Sequence, residues 1–121
     1  MDVYIMTESE KRFAELIWAN EPIGSGELVK LCEQNFGWKK STTYTVLKKL
    51  CEKQLFQNES ATVTAVLKKD QYEQKKSEQF IEENYSGSLP RFLTAFMTHK
   101  KLSKKQVKEL KDIINSYEEE S

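Results

Sequence analysis

Residues 38–50 read Trp-Lys-Lys-Ser-Thr-Thr-Tyr-Thr-Val-Leu-Lys-Lys-Leu, and on a helix this stretch has two chemically different sides. At about 100° per residue, one arc of about 100° carries hydroxyls, a phenol ring and an ammonium group, from Ser41, Tyr44, Thr45 and Lys48. The opposite side carries Val46, Leu47, Leu50 and Cys51. An apolar side anchors a helix to a core, whereas hydroxyls and lysine bond phosphates and base edges in a DNA groove. We interpret the segment as a DNA recognition helix.

Two helices are predicted before this segment. The first spans about residues 7–20 and opens with a capping box formed by Thr7 and Glu10. The second runs from residue 24 or 25 to about 35, and the recognition helix follows over about residues 39–54. A break separates the first two helices, and Ile23 within it supplies a short strand.

The pattern changes after the third helix. Residues 55–57 and 62–67 are rich in apolar and β-branched side chains, and Asn58-Glu59-Ser60 lies between them. This predicts a β-hairpin, so the fold class is mainly α: a winged helix-turn-helix of three helices and a β-hairpin wing. The hairpin tip carries no lysine or arginine, and phosphate would repel Glu59. We therefore expect the tip to complete the fold rather than to bind DNA.

The C-terminal third predicts three more helices, which begin at Asp70 (with Glu73 as its box partner), at Ser88 and at Ser103. Their apolar stripes have no globular core of their own, so a second copy of the chain is the expected partner. We predict a winged-helix domain over residues 1–69 and a helical dimerisation region over residues 70–121. The predicted dimerisation residues are Phe80, Tyr85, Leu89, Phe92, Leu93, Phe96, Val107, Leu110, Ile113, Ile114 and Tyr117.

The charge of the 121-residue chain is balanced, with 19 basic and 19 acidic residues. Its distribution is uneven, because residues 39–53 contain five lysines and the single acid Glu52. Such a local patch can bind DNA on an otherwise neutral surface. The predicted DNA-binding residues are Lys39, Lys40, Ser41, Thr42, Tyr44, Thr45, Lys48 and Lys49.

The sequence contains no apolar run of membrane-spanning length and no signal-peptide pattern, so we expect a cytoplasmic protein without a membrane partner. No phosphate-binding glycine loop, nucleophile elbow or HExxH pattern is present, which argues against an enzyme. No metal site or cofactor is expected.

Two tryptophans and two cysteines are expected to have structural roles rather than functional ones. Trp18 and Trp38 are expected to pack, Trp38 at the turn before the third helix. Cys32 and Cys51 are expected to be buried thiols, and a redox role for them is left open. His99 is expected at the surface after the fifth helix.

The order of these motifs resembles the penicillinase repressor family of bacterial winged-helix regulators. The resemblance covers almost the whole chain, and the segments that carry it are 7–10, 17–18, 38, 41–50, 80–81, 85–89, 96, 102–103 and 109–110. It implies a homodimeric repressor, whose winged helices bind the half-sites of a palindromic operator and whose C-terminal helices interlock. In the best-known members, a protease pathway that senses antibiotic cleaves an Asn-Phe bond in the C-terminal part.

The chain departs from the family pattern at several positions. The bond that matches the cleaved one is Ala95-Phe96, without the asparagine. Lys39-Lys40 stands where the family has Ser-Pro, and Thr43 replaces a buried aliphatic residue. The C-terminal cysteine cluster of copper-responsive members is absent.

These observations predict a sequence-specific transcriptional repressor that binds a double-stranded DNA operator as a homodimer. The alternative is a winged-helix protein-interaction module that has lost DNA binding, which the zero net charge and the acidic wing favour. A regulator that responds to antibiotics or metals is a second alternative, and a protease or signalling partner stays open.

Overall fold

The computed structural model describes residues 4–120 of the chain. Over these residues the elements follow the order α1 (Glu8–Asn20), β1 (Ile23–Gly24), α2 (Ser25–Phe36), α3 (Lys40–Glu52), β2 (Phe56–Glu59), β3 (Thr62–Ala65), α4 (Lys69–Tyr85), α5 (Leu89–Thr98) and α6 (Lys104–Glu120). This order confirms the predicted fold class, a mainly α winged helix with a β-hairpin wing. Contacts divide the described chain into two units, which meet at Gln79 and Phe80.

The ends of the first three helices follow from their cap residues. The Thr7 hydroxyl accepts the backbone N–H of Glu10 at 3.2 Å, and Glu10 Oε1 accepts the Thr7 N–H at 2.8 Å, which confirms the capping box. Gly37 ends α2 in the left-handed conformation at φ 68°, where a side chain would be strained. α3 ends at Glu52, before the predicted end, because Gln54 takes a left-handed φ of 64°.

The wing is an antiparallel hairpin of β2 and β3, and β1 pairs with the other edge of β3. The predicted tip, Asn58-Glu59-Ser60, is wrong by two residues. Asn58 and Glu59 belong to β2 and pair with β3, and the turn consists of Ser60 and Ala61. Both turn residues have positive φ, of 51° and 59°, as a two-residue hairpin turn requires.

The core of the first unit lies where the three helices meet the inner face of the sheet. Every one of these elements contributes to it, and its fully buried large side chains are Phe13, Ile17, Leu28, Leu50, Leu55, Phe56 and Val63. Because these residues come from distant parts of the sequence, the core fixes α3 against both the other helices and the wing.

Both tryptophans have the predicted structural role. Trp38 packs at the turn before α3, with ring centroids 5.6 Å from Phe13 and 4.9 Å from Phe36. Trp18 packs on Phe56 and donates its indole N–H to the carbonyl of Leu67 at 2.9 Å.

The start of α4 differs from the prediction. Asp70, the predicted cap, lies inside the helix, which begins at Lys69. Gln71 instead of Glu73 accepts a backbone N–H ahead of the helix, from Lys68 at 2.9 Å. Glutamine can accept this capping hydrogen bond as glutamate does, so the sequence pattern did not distinguish Gln71 from Glu73 as the partner.

The first turns of α4 belong to the winged-helix unit. Tyr72 is buried, its ring lies 5.5 Å from Trp18, and its hydroxyl donates to the carbonyl of Tyr4. The winged-helix unit thus extends into α4, beyond the predicted boundary at residues 69 and 70.

The second unit contains the end of α4, α5 and α6. Ser88 caps α5 by accepting the Arg91 N–H at 3.2 Å. Ser103 and Gln106 form the predicted reciprocal cap of α6, with distances of 3.1 and 3.4 Å. In this unit the end of α4 packs on α5 through an aromatic cluster of Phe80, Tyr85, Phe92 and Phe96.

Candidate nucleic-acid interface

The outer side of α3 is accessible, as the sequence predicts. Its inner side carries three buried residues, Thr43, Leu47 and Leu50, which anchor it to the core. The exposed residues at and along the helix are Lys39, Lys40, Ser41, Thr42, Thr45, Lys48 and Lys49. The fold therefore brings seven of the eight predicted DNA-binding residues to solvent on one helix.

Three lysines of this surface have no ion-pair partner among the side chains that the structure describes. No described carboxylate lies within ion-pair distance of Lys39, Lys40 or Lys48, whereas the charge of Lys49 helps to lower the pKa of Glu10. Lys53 is different, because its ammonium group donates to the carbonyl of Ile5 and lies 4.0 Å from Glu10. The positive charge at α3 is thus available for phosphate, whereas Lys53 stabilises the chain entry into α1.

Tyr44 is the exception among the predicted contacts. Its side chain is half-buried, and its hydroxyl donates to the Ser25 hydroxyl oxygen at 3.2 Å. Sequence reasoning missed Ser25, since no local pattern reveals a contact across 19 residues. The phenol group faces α2 instead of projecting outward like the side chain of Lys48.

Thr43 places a hydroxyl on the buried inner side of α3, where the resemblance implies an aliphatic residue. The side chain is only 1% exposed, so an unpaired hydroxyl would be costly. It donates to the carbonyl of Lys39 at 3.4 Å and also interacts with the Cys32 thiol. Both contacts satisfy the polar group, and α3 keeps its inner anchor.

The two cysteines are free thiols in apolar surroundings. Cys32 is fully buried as predicted, whereas Cys51 is only half-buried. Burial raises the pKa of both thiols, and the interaction with the Thr43 side chain offsets this only in part for Cys32. A raised pKa lowers the thiolate fraction and hence the reactivity of a cysteine.

The wing is joined to α1 by one carboxylate that the sequence did not single out. Glu21, at the C-terminal end of α1, accepts the backbone N–H of Ala65 at 2.9 Å and lies 3.0 Å from the Lys68 ammonium group. Burial raises the pKa of Glu21, but these two partners outweigh it, and the net pKa lies below the ordinary value of 4.5.

Glu21 should therefore give the fold a pH-dependent stability. Because its pKa is depressed in the folded state, the contribution is present above pH 4.5 and is lost as the pH falls through the folded-state pKa. We expect Glu21→Gln to lower the free energy of unfolding at pH 7 by about 1–3 kcal/mol. Urea titrations from pH 7 to 3 should show this deficit shrinking.

The matched control is Glu59→Gln, which neutralises an exposed carboxylate of the same hairpin. It should leave the free energy of unfolding within about 0.5 kcal/mol of the wild type. A deficit for Glu21→Gln that is the same at every pH would contradict the assignment.

The eleven predicted dimerisation residues lie in the second unit; five are half-buried, and the six exposed ones are Phe80, Leu89, Phe96, Ile113, Ile114 and Tyr117. Leu89, Phe96 and Ile113 are 55%, 46% and 65% exposed. Apolar side chains also line an open groove of about 270 Å³ between α5 and α6, namely Phe92, Leu93, Phe96, Leu102, Leu110 and Ile113. An exposed apolar surface of this kind marks an interaction site.

The Ala95-Phe96 bond, which the resemblance matches to a cleaved bond, lies within a helix. Ala95 and Phe96 are exposed residues of α5, so their backbone is helical rather than extended. His99 is exposed and follows α5, as predicted. In residues 4–120, no three His, Cys, Asp or Glu residues are grouped as metal ligands would be.

Three helices, a short sheet and an accessible third helix with lysines and hydroxyls define this chain as a winged-helix protein. It belongs to the penicillinase repressor family, whose family model matches residues 6–116. One relative, the penicillinase repressor of Bacillus licheniformis, is 22% identical over 116 residues, which cover 93% of this chain and 91% of the relative. The match confirms the resemblance drawn from the sequence motifs.

The family consists of transcriptional repressors and not of enzymes, which agrees with the sequence argument. No helix in the described part of the chain is both long enough and apolar enough to cross a membrane.

Proposed function

We propose that this protein is a cytoplasmic transcriptional repressor that binds a palindromic DNA operator as a homodimer. The observation that carries the proposal is the division of α3 into a buried inner side and an outer side of accessible hydroxyls and lysines. A helix of this kind fits the major groove, where lysine and hydroxyl groups bond phosphates and base edges. Membership of a repressor family supports the same conclusion.

The roles of the α3 side chains divide by their position. Ser41 and Thr45 lie on the middle of the outer arc and are suited to base edges. The Thr45 hydroxyl donates its hydrogen to the Ser41 carbonyl at 2.9 Å, so its oxygen is left to accept a hydrogen bond from a base. Thr42 lies toward the edge of the arc and is suited to phosphate. The flanking lysines, Lys39, Lys40, Lys48 and Lys49, would position the helix through phosphate contacts.

The second unit supports the homodimer. Exposed apolar residues on α5 and α6 favour an interaction partner, and in a homodimeric repressor this partner is a second copy of the chain. α6 begins with Lys104 and Lys105 and ends with acidic residues such as Glu119, the reverse of what the helix dipole favours. Two antiparallel α6 helices would set each basic start beside an acidic end. Dimerisation is then the task of the second unit, from Phe80 onward, and DNA binding that of the winged-helix unit, which includes the first turns of α4.

A gel-shift titration tests the proposal. Wild-type protein should bind a duplex selected from a random-sequence pool and should resist competition by scrambled DNA. Two recognition helices that enter successive major grooves require half-site centres about 10 bp apart, or a multiple of that distance. Selected duplexes without two-fold symmetry would contradict the homodimeric operator.

Lys48→Ala should weaken binding to all duplexes alike. If Lys48 neutralises one phosphate, the slope of log K against log salt should fall by about 0.9. Fluorescence anisotropy at several salt concentrations measures this slope on selected and scrambled duplexes. Lys75→Ala removes an exposed lysine of α4 and should leave the slope unchanged. A change in sequence preference with an unchanged slope would contradict the phosphate role.

The alternative is a protein-interaction module without DNA affinity. The exposed carboxylate of Glu59 on the wing and the zero net charge favour it. It predicts no shift of any duplex, even at low salt, together with dimerisation or partner binding through the second unit.

A further inference from the structure

Ser25 occupies a junction between the wing and the recognition helix. It is the first residue of α2 and only 6% exposed, although its side chain is polar. Its backbone N–H donates to the carbonyl of Ala61 at 2.8 Å, and its hydroxyl oxygen accepts the Tyr44 hydroxyl at 3.2 Å. Ser25 thus bonds two residues that are distant in the sequence, Ala61 at 36 positions from it and Tyr44 at 19 positions from it.

The bond to Ala61 fixes the wing at its turn. Ala61 is the second residue of the two-residue turn between β2 and β3. The preceding residues Ile23 and Gly24 form β1, which pairs with β3, so the chain enters α2 directly from the sheet. The position of Ser25 is therefore tied to that of the wing.

The bond to Tyr44 fixes α3 on its flank. α3 is anchored on its inner side by Leu47 and Leu50, and the hydrophobic attraction of these side chains is itself non-directional. A hydrogen bond is directional, and this one lies off the apolar anchor. Ser41 and Thr45, the residues suited to base edges, lie three residues before and one residue after Tyr44, on the same arc of the helix. Their direction therefore depends on the rotation that this bond fixes.

We infer that Ser25 is a positioning residue for DNA sequence discrimination, because it couples the orientation of α3 to the wing without contacting DNA. The inference rests on the proposed DNA binding. It gives the hydroxyl of Tyr44 an internal task, so that base edges are read by the side chains that flank this residue. Phosphate contacts tolerate small rotations better than base contacts do, since they carry no sequence information.

A double-mutant cycle of Ser25→Ala and Tyr44→Phe tests this inference. The measured quantity is the ratio of affinities for the selected duplex and a scrambled duplex of equal composition. Each single variant should lose about 2- to 12-fold in this ratio, the factor that matches one neutral hydrogen bond. The double variant should lose no more than either single variant, and the salt slope should stay at the wild-type value.

Tyr72→Phe is the matched control. It removes a phenol hydroxyl that is hydrogen-bonded elsewhere in the same unit, to the carbonyl of Tyr4. It should lower the urea midpoint but leave the discrimination ratio unchanged. This separates a positioning role from a general loss of stability, which both tyrosine variants share.

Three outcomes would overturn the inference. Ser25→Ala with a wild-type ratio means that the junction does not control discrimination. Losses from Tyr44→Phe and Ser25→Ala that add up mean that Tyr44 acts on DNA directly. Wild-type protein that binds no duplex specifically refutes the proposed function, and the inference fails with it, whereas the first two outcomes leave the proposed function intact.

Discussion

Replacing Ile114 with glutamate should convert the protein into a monomer and abolish operator binding at concentrations that saturate the wild type. Ile114 is 52% exposed in the single chain and lies on the apolar stripe of α6 with Val107, Leu110 and Tyr117. In the proposed dimer it is covered, and an unpaired carboxylate in an apolar interface costs several kcal/mol. The dimer dissociation constant should rise by about 100-fold or more.

Sedimentation equilibrium measures this change directly. Operator affinity should fall in parallel, because a dimer gains its affinity by binding two half-sites at once. Asn115→Glu is the control, since it adds the same charge at the neighbouring exposed position on the polar side of α6. A variant at position 114 that remains a dimer would refute the assignment of α6 to the interface.

Phe13→Ala should cause the largest loss of stability in the winged-helix unit. Phe13 is fully buried, and its ring packs against Trp38 beside the start of α3. Truncation of a buried phenylalanine costs about 3–5 kcal/mol, because the lost transfer energy is joined by the energy of the remaining cavity. A loss of this size is a large part of the stability of a small unit.

Urea unfolding followed by tryptophan fluorescence at fixed protein concentration checks the value, and Trp38 itself reports on the site. Arg12→Ala, at the exposed neighbouring position, should change the free energy of unfolding by less than about 0.5 kcal/mol. A loss below about 1 kcal/mol for the Phe13 variant would mean that the packing around Trp38 relaxes into the cavity.

Local signals in the sequence were sufficient for the fold. The capping box of Thr7 and Glu10, the serine caps of α5 and α6 and the two-sided pattern of α3 depend on residues a few positions apart. The hairpin tip was misplaced because the turn uses Ser60 and Ala61, neither of which is a strong signal for positive φ.

Tertiary contacts explain what the sequence did not predict in the candidate site. The exposed side of α3 followed from helical periodicity. The hydrogen bond of Tyr44 to Ser25 and that of Ala65 to Glu21 join residues far apart in the chain. Such contacts do not produce a periodic pattern in the sequence. The sequence alone therefore indicated which helix would be accessible, but not which neighbours set its orientation.

The burial of Tyr72 bears on how the DNA-binding part can be studied in isolation. A fragment that stops after the hairpin would lack the phenol ring of Tyr72, which packs on Trp18. The Trp18 indole ring would then be exposed to solvent on that side. A fragment that continues through Gln79 retains this ring and the first turns of the fourth helix. Spectroscopists who want a minimal independently folding module should therefore choose the longer fragment as the cooperative unit.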